Sequence, residues 1–421
     1  MKMLLLLICY LLVLLLSLSS QSSSATAAED DRVACVTGGS GYLALELTAQ
    51  LLQLGWSVRA TVRDLTRESS VAPLRELPFA SGRLTLFEAD LIAGSSNFVG
   101  CVAGASVVFH TASPFFTQDV TDPERELLEP ALKGTEHVVG AALVADSVKK
   151  IILTSSIAAT MSGSDDKGGA CFNESDWNTK STLQGRHTHG AGLDSYRYSK
   201  TAAERRFWEM ISDPDLNPGL VQGAAILPSF IVGPPRSART SGESATFMKM
   251  AMEGAVPYRG DSPMCDVRDV ALAHIRAATV LSATSDGQHP ARYIISSKRK
   301  VQRAQVLTWL NEKYPTFDVA KDLKSPIFAA TSLPIMFCPT NLHKIGMAQL
   351  EQQQRSDDNL NREKDAIAAV SYLPAAEELP IMNLRDVKTS LLDMADAMVN
   401  LVKSVSPRMR AKHQVEEENE L

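Results

Sequence analysis

The sequence predicts an α/β fold organised as a doubly wound parallel sheet with a smaller C-terminal region, on three observations. From Arg32 onward short apolar runs alternate with amphipathic segments, the pattern of successive βαβ units. A glycine turn joins the first such run to the first amphipathic segment. With 421 residues, 45% of them hydrophobic, the chain is long enough to bury a substantial core.

The expected strands are Val33–Thr37, Val58–Val62, Leu84–Glu88, Val107–His110, Ile151–Thr154 and Leu220–Leu227. Helical patterns fill most of the gaps, including Tyr42–Leu54 and Glu124–Ala145. These elements form a nucleotide-binding domain over 29–228. Beyond Pro228 the regularity weakens into segments punctuated by Pro and Gly, with helices expected at Ser244–Glu253, Val267–Leu281 and Val301–Glu312. That stretch, 229–346, reads as a substrate-binding region closing over the sheet. An exposed Gln-, Asp- and Asn-rich insertion follows over 347–383, and then a helix around Leu384–Val402 with a charged tail to 421.

The net charge of -6 is spread over interspersed signs, which excludes a nucleic-acid surface and a polybasic membrane patch and points to small-molecule partners. Residues 1–28 have the layout of a secretory signal peptide. Lys2 precedes the apolar run Leu4–Leu16, and small residues lead to Ala27 and Ala28 before Glu29, Asp30 and Asp31. The run is too short to span a bilayer comfortably, so cleavage with no remaining transmembrane anchor is expected ahead of a retained one. The body then enters the secretory pathway. The terminal Glu418-Asn419-Glu420-Leu421 resembles a degenerate ER-lumen retention tail.

Cys9 leaves with the signal, and Cys35, Cys101, Cys171, Cys265 and Cys338 are too widely spaced to read as a disulfide framework. Cys35, in an apolar strand, is expected as a buried thiol. Asn173-Glu174-Ser175 is a glycosylation sequon if the chain is secretory. His187 and His189 form an HxH without further ligands, which favours an exposed loop over a metal site.

In "VTGGSGYLA", Gly38, Gly41 and Ala44 supply a tight turn, close approach to a pyrophosphate and close helix–strand packing, while the helix start offers N–H groups to the anion. At the end of the second strand an NAD-binding protein would carry an acid. Thr61 and Arg63 stand there instead, and a guanidinium suits the 2′-phosphate of NADP. The alternative is that Arg59 and Arg63 are solvated surface charges, a reading that the neighbouring Asp64 keeps open.

"SYRYSKTAAER" sets two tyrosines beside one lysine. Residues four apart share a helix face, so Tyr196 meets Lys200 and Tyr198 points elsewhere. A phenol ordinarily titrates near pH 10, and a neighbouring ammonium favours its ionised form, which makes Tyr196 usable as an acid–base group. Ser155 and Ser156 end the fifth strand, where a hydroxyl could hold a substrate carbonyl or merely cap the chain.

Together "VTGGSGYLA", "ATVRD", "EADL", "VFHTASP", "LTSS", "YRYSK" and "ILPSFIVGP" resemble, in order, an extended short-chain dehydrogenase/reductase of the dihydroflavonol reductase and cinnamoyl-CoA reductase group, from Arg32 to Gly346. The resemblance implies a Rossmann-type fold and catalytic roles for Ser156, Tyr196 and Lys200. It also implies a cofactor site of Gly38, Ser40, Gly41, Tyr42, Leu43, Arg63, Asp90, Leu91, Thr111, Ala112, Ser113, Tyr196, Lys200, Pro228 and Ile231. Met161 stands where plant dihydroflavonol reductases carry a substrate-reading Asn or Asp, and no NWYCYGK-type signature appears, so neither of those substrates is supported. The expected activity is NADPH-dependent reduction of an aldehyde or ketone, reversible as alcohol oxidation. The alternatives are an epimerase or steroid dehydrogenase/isomerase of the same superfamily, and a non-catalytic nucleotide-binding protein.

Overall fold

The computed structural model describes residues 32–115, 120–162, 167, 170–184, 191–237, 242–252, 262–280, 291–315, 337–345, 347–348 and 382–405. The leader, the HxH pair, most of the Gln-rich insertion and the terminal tetrapeptide lie outside them.

All strands of the central sheet run parallel. They are β1 (Val33–Val36), β2 (Ser57–Val62), β3 (Leu84–Glu88), β4 (Val107–His110), β5 (Lys150–Thr154), β6 (Gln222–Pro228) and β9 (Arg292–Ile295), in the order β3-β2-β1-β4-β5-β6-β9. The order reverses between β1 and β4, which opens a crevice at their carboxyl ends. Because successive side chains alternate in direction, Ala34 and Val36 enter the core on one face and Cys35 enters the core on the other. Helices α1 (Tyr42–Gln53), α2 (Glu68–Arg75) and α7 (Val267–Val280) cover the first face. On the second lie α3 (Val99–Val102), α4 (Glu129–Leu143, entered through a π-turn at Glu124–Leu128) and α5 (Ala191–Ser212). Covered on both faces, the strands read as continuous apolar runs, which is why they were legible.

The seventh strand, β9, was not expected, because it opens on buried Arg292 and leaves an apolar run of only three residues, Tyr293 to Ile295. A separate apolar cluster joins β7 (Phe230–Val232), β8 (Met264–Asp266), α6 (Glu243–Met252), α8 (Arg303–Lys313) and α9 (Val387–Val405). Arg268 bridges Asp266 and Asp393, and Arg385 pairs with Asp269, so α9 is tied by charge to the start of α7. The expected insertion begins in ordered structure, where β10 (Met347–Ala348) pairs in parallel with β11 (Met382–Asn383).

The cysteine expectation is overturned. Cys35 bonds to Cys101 and Cys171 to Cys338, with Cα separations of 5.5 and 5.7 Å, leaving buried Cys265 as the free thiol among the described residues. Cys35 is indeed buried, but it is not a thiol. The folded topology sets α3 behind β1, and brings Phe337 into a bridge with Phe172, so cysteines 66 and 167 residues apart become neighbours. This second staple lies along β9, the last strand of the sheet. Glu174 accepts the Ile294 N–H and Asn341 donates to the Arg292 carbonyl, so the outer edge is covered rather than left to pair with another chain.

Candidate active site

The turn after β1 has the backbone the glycine spacing anticipates. Gly38 lies at φ 67°, and a Cβ there would come within 3.0 Å of Ala112. The turn is pinned by Thr61, whose hydroxyl accepts the Gly38 N–H at 3.0 Å while its carbonyl accepts the Gly39 N–H at 2.7 Å. Gly41 caps α1 and receives the Leu45 N–H, so the N–H groups of Tyr42 and Leu43 precede the helical ladder. Ser40 lies in the turn itself. The Tyr42 phenol turns away to the Gly233 carbonyl, so its part in an anion site is through its backbone.

Thr37 joins this turn to β4. Its Oγ1 accepts the Thr111 and Ala112 N–H groups, each at 3.1 Å, and lies 2.9 Å from Nδ1 of His110. Thr111 in return donates its hydroxyl to the Thr37 carbonyl. Thr111 and Ala112 are therefore held beside the glycine turn, and half-buried Ser113 follows them. Burial, followed by the Lys200 charge, pushes the His110 pKa down to about 3, so the ring is neutral.

Arg63 is exposed at the carboxyl end of β2, whereas Arg59 is occupied elsewhere. The Arg59 guanidinium donates to the Gly100 and Cys101 carbonyls and lies over Phe87. Asp64 is held below the usual carboxylate range by hydrogen bonds from Thr66. Exposed Asp90 accepts the Ile92 N–H, and Leu91 packs on Gly134.

On the other side of the crevice, Tyr196 and Lys200 are both buried on α5, and Tyr198 is 38% exposed. Of the two tyrosines, Tyr196 is the one that shares the inner face of α5 with Lys200. The Tyr196 ring packs with Ala158 and Leu127, and Phe115 lies across it with ring centroids 4.9 Å apart. Lys200 donates to the Thr154 carbonyl at 2.9 Å, and burial lowers its pKa to about 8 against the opposing pull of Glu204. Ser156 follows directly after Ser155 at the end of β5, and its Oγ accepts the Ala158 N–H at 3.2 Å. The capping alternative is thus realised, and it uses a lone pair of the hydroxyl rather than its proton. Ser155 differs: its O–H is committed to Glu204 at 2.5 Å. Pro228 ends β6, and Ile231 lies half-buried in β7 with its carbonyl held by Ser244. Met161 is a core residue beside Phe172 and Phe337.

Sequence reasoning missed the support behind these residues. Glu204 and Arg292 form an ion pair with both side chains fully buried; Trp208 donates to Glu204, and the Arg292 guanidinium lies 3.9 Å from the Trp177 ring centre. Arg292 also donates to the Glu174 and Asp176 carbonyls. A cavity of about 10 Å³, room for one water, is lined by Lys200, Glu204, Ser155 and His110 among others. The available signal was that Glu204 follows Lys200 by four residues, on the same inward face of α5.

Residues 35–307 match the model of the 3-beta hydroxysteroid dehydrogenase/isomerase family. The chain is 34% identical to a cinnamoyl-CoA reductase of Medicago truncatula over 294 residues, covering 68% of this chain and 82% of that protein. It is 33% identical to an anthocyanidin reductase of Vitis vinifera over 300 residues, covering 69% and 83%. Among solved structures, yeast methylglyoxal/isovaleraldehyde reductase complexed with NADPH superposes with a TM-score of 0.64 at 22% identity, over 87% of this chain and 98% of that one. Vestitone reductase from alfalfa (Medicago sativa) gives 0.57 at 24% identity, over 88% and 98%.

Proposed function

The chain belongs to the 3-beta hydroxysteroid dehydrogenase/isomerase family, and from that premise we propose that it is an NADPH-dependent reductase of an aldehyde or ketone, working in reverse as an alcohol dehydrogenase. The observation that supports this most directly is that buried Lys200, four residues from buried Tyr196 on α5, lines one cavity with Ala112 and Ser113, and Ala112 abuts the Gly38 turn.

The turn fits a dinucleotide. Gly38 occupies a left-handed conformation pressed against Ala112, and the α1 N-terminus directs N–H groups outward for a pyrophosphate. Exposed Arg63 suits a 2′-phosphate, and similarity to an NADPH complex accords with that preference. When bound, NADPH supplies the hydride. Ser156 donates to the carbonyl oxygen and holds it, and Tyr196 gives that oxygen its proton as charge develops there. Lys200, as an ammonium, favours the phenolate that Tyr196 becomes and is positioned by Thr154.

The test is NADPH oxidation followed at saturating cofactor with a panel of aldehydes and ketones, and with cinnamoyl-CoA as a thioester comparison. Tyr196→Phe is expected to lower turnover by about 10² to 10⁴ while NADPH still binds. Near-normal turnover in that variant would refute the assignment. A tightly copurifying nucleotide that never exchanges would favour an epimerase or isomerase instead.

The compartment we propose is the secretory pathway. Two disulfides support it, since such bonds persist in oxidising surroundings.

A further inference from the structure

We propose that Asn173 is an N-glycosylation site, its substrate a lipid-pyrophosphate-linked oligosaccharide. This rests on the secretory reading just given, but not on the enzymatic one. The argument begins with how the segment is held. Cys171 is bonded to Cys338, Phe172 is buried against Phe337, and Glu174 turns inward to accept the N–H groups of Ile294 and Thr340. With Glu174 anchored inward, Ser175 is exposed and Asn173 only partly buried.

Asn173 Oδ1 accepts both the backbone N–H of Ser175 at 2.9 Å and its hydroxyl at 2.6 Å. The amide oxygen is thus fully engaged by the sequon serine, whereas among the described residues nothing hydrogen-bonds Nδ2. The side chain therefore offers its nitrogen. Polarising the amide through its oxygen makes the N–H groups more acidic, which is the activation an amide nitrogen needs. In the transfer, Nδ2 attacks the anomeric carbon of the donor and forms the N–C bond. The carbon–oxygen bond to pyrophosphate breaks with its electron pair, and one Nδ2 proton passes to the transferase's base.

The bland reading of Asn173-Glu174-Ser175 is a turn, because Asn and Ser make such local bonds anywhere. Two features count against a turn alone. The chain carries disulfides in which four of its cysteines are paired, as a lumenal protein would. And the sequon lies beside one of them at the outer edge of the sheet, where a glycan meets solvent rather than the crevice.

The experiment is expression of the full chain in a eukaryotic host, with gel mobility read before and after peptide N-glycosidase, alongside thiol alkylation without reduction. A single mobility shift removed by the enzyme is expected. It should vanish in Asn173→Gln and in Ser175→Ala, and persist in Ser175→Thr, which keeps the hydroxyl. Alkylation-resistant Cys35, Cys101, Cys171 and Cys338 with unmodified Asn173 would overturn the site while leaving the compartment standing. Freely alkylated cysteines with unmodified Asn173 would overturn both.

Discussion

The two sides of the crevice are held in position by different physics. On the β1–β2–β4 side, contacts run between backbone and hydroxyl groups: Thr61 to Gly38 and Gly39, and Thr37 to Thr111 and Ala112. On the β5–β6–β9 side, the space behind Ser155 and Lys200 is ionic. Glu204 and Arg292 sit there with no solvent, joined by Trp177, Trp208 and backbone carbonyls. A turn set by conformation tolerates change in its surroundings but not in itself. A buried charge pair is sensitive in the opposite way, because removal of either member strands the other.

The largest effect should follow from breaking that pair. Glu204→Gln leaves Arg292 charged and unpaired and is expected to cost about 3–5 kcal/mol, read as a lowered urea midpoint under oxidising conditions. The double variant Glu204→Gln with Arg292→Leu should recover part of this, because the guanidinium is no longer buried without its carboxylate. If the single variant unfolds at the same urea concentration as the parent, the ionic side is not held as described.

Gly38→Ala probes the other side and should invert the pattern. Its left-handed backbone and the 3.0 Å approach to Ala112 put the stability cost at about 1–3 kcal/mol. NADPH affinity should fall by more than in Glu204→Gln, measured by cofactor titration of both proteins. Equal losses of affinity in the two variants would erase the distinction between the sides.

That distinction also explains what the sequence made legible. Glycine spacing, the Tyr196–Lys200 interval and the apolar strand runs are local patterns, and each reports a local geometry that the fold keeps. The ionic support and both disulfides are not local. Glu204 and Arg292 are 88 residues apart, and with Arg292 as its first residue β9 keeps an apolar run of only three. Cys35 shows the limit within one residue: the strand pattern foretold its burial, and only the folded chain supplies Cys101 as its partner. The structural roles of Thr37 and His110 were likewise hidden, because a buried hydroxyl or imidazole gains meaning from the neighbour it meets.

The smallest effect concerns a feature the two sides share, a neutral histidine paired with a threonine at a strand end. Thr37 Oγ1 already accepts two N–H groups, so its proton goes to His110 Nδ1, which must be unprotonated. His274 on α7 places Nδ1 2.7 Å from the Val270 carbonyl, to which it can only donate, so its Nε2 accepts from the Thr154 hydroxyl at 2.7 Å. Burial lowers the two pKa values from 6.5 to about 3 for His110 and about 4 for His274. Between those values and 6.5 the unfolded chain binds more protons than the folded one, so stability must fall as pH drops below 6.5. Each ring contributes at most about 1.4 kcal/mol per pH unit in that window. Urea midpoints measured from pH 7 to pH 5 should therefore decline, and His274→Gln should flatten the decline by roughly one ring's share. A parent-like slope in both His110→Gln and His274→Gln would mean that the acid sensitivity lies in carboxylates, and that these strand ends do not depend on a neutral imidazole.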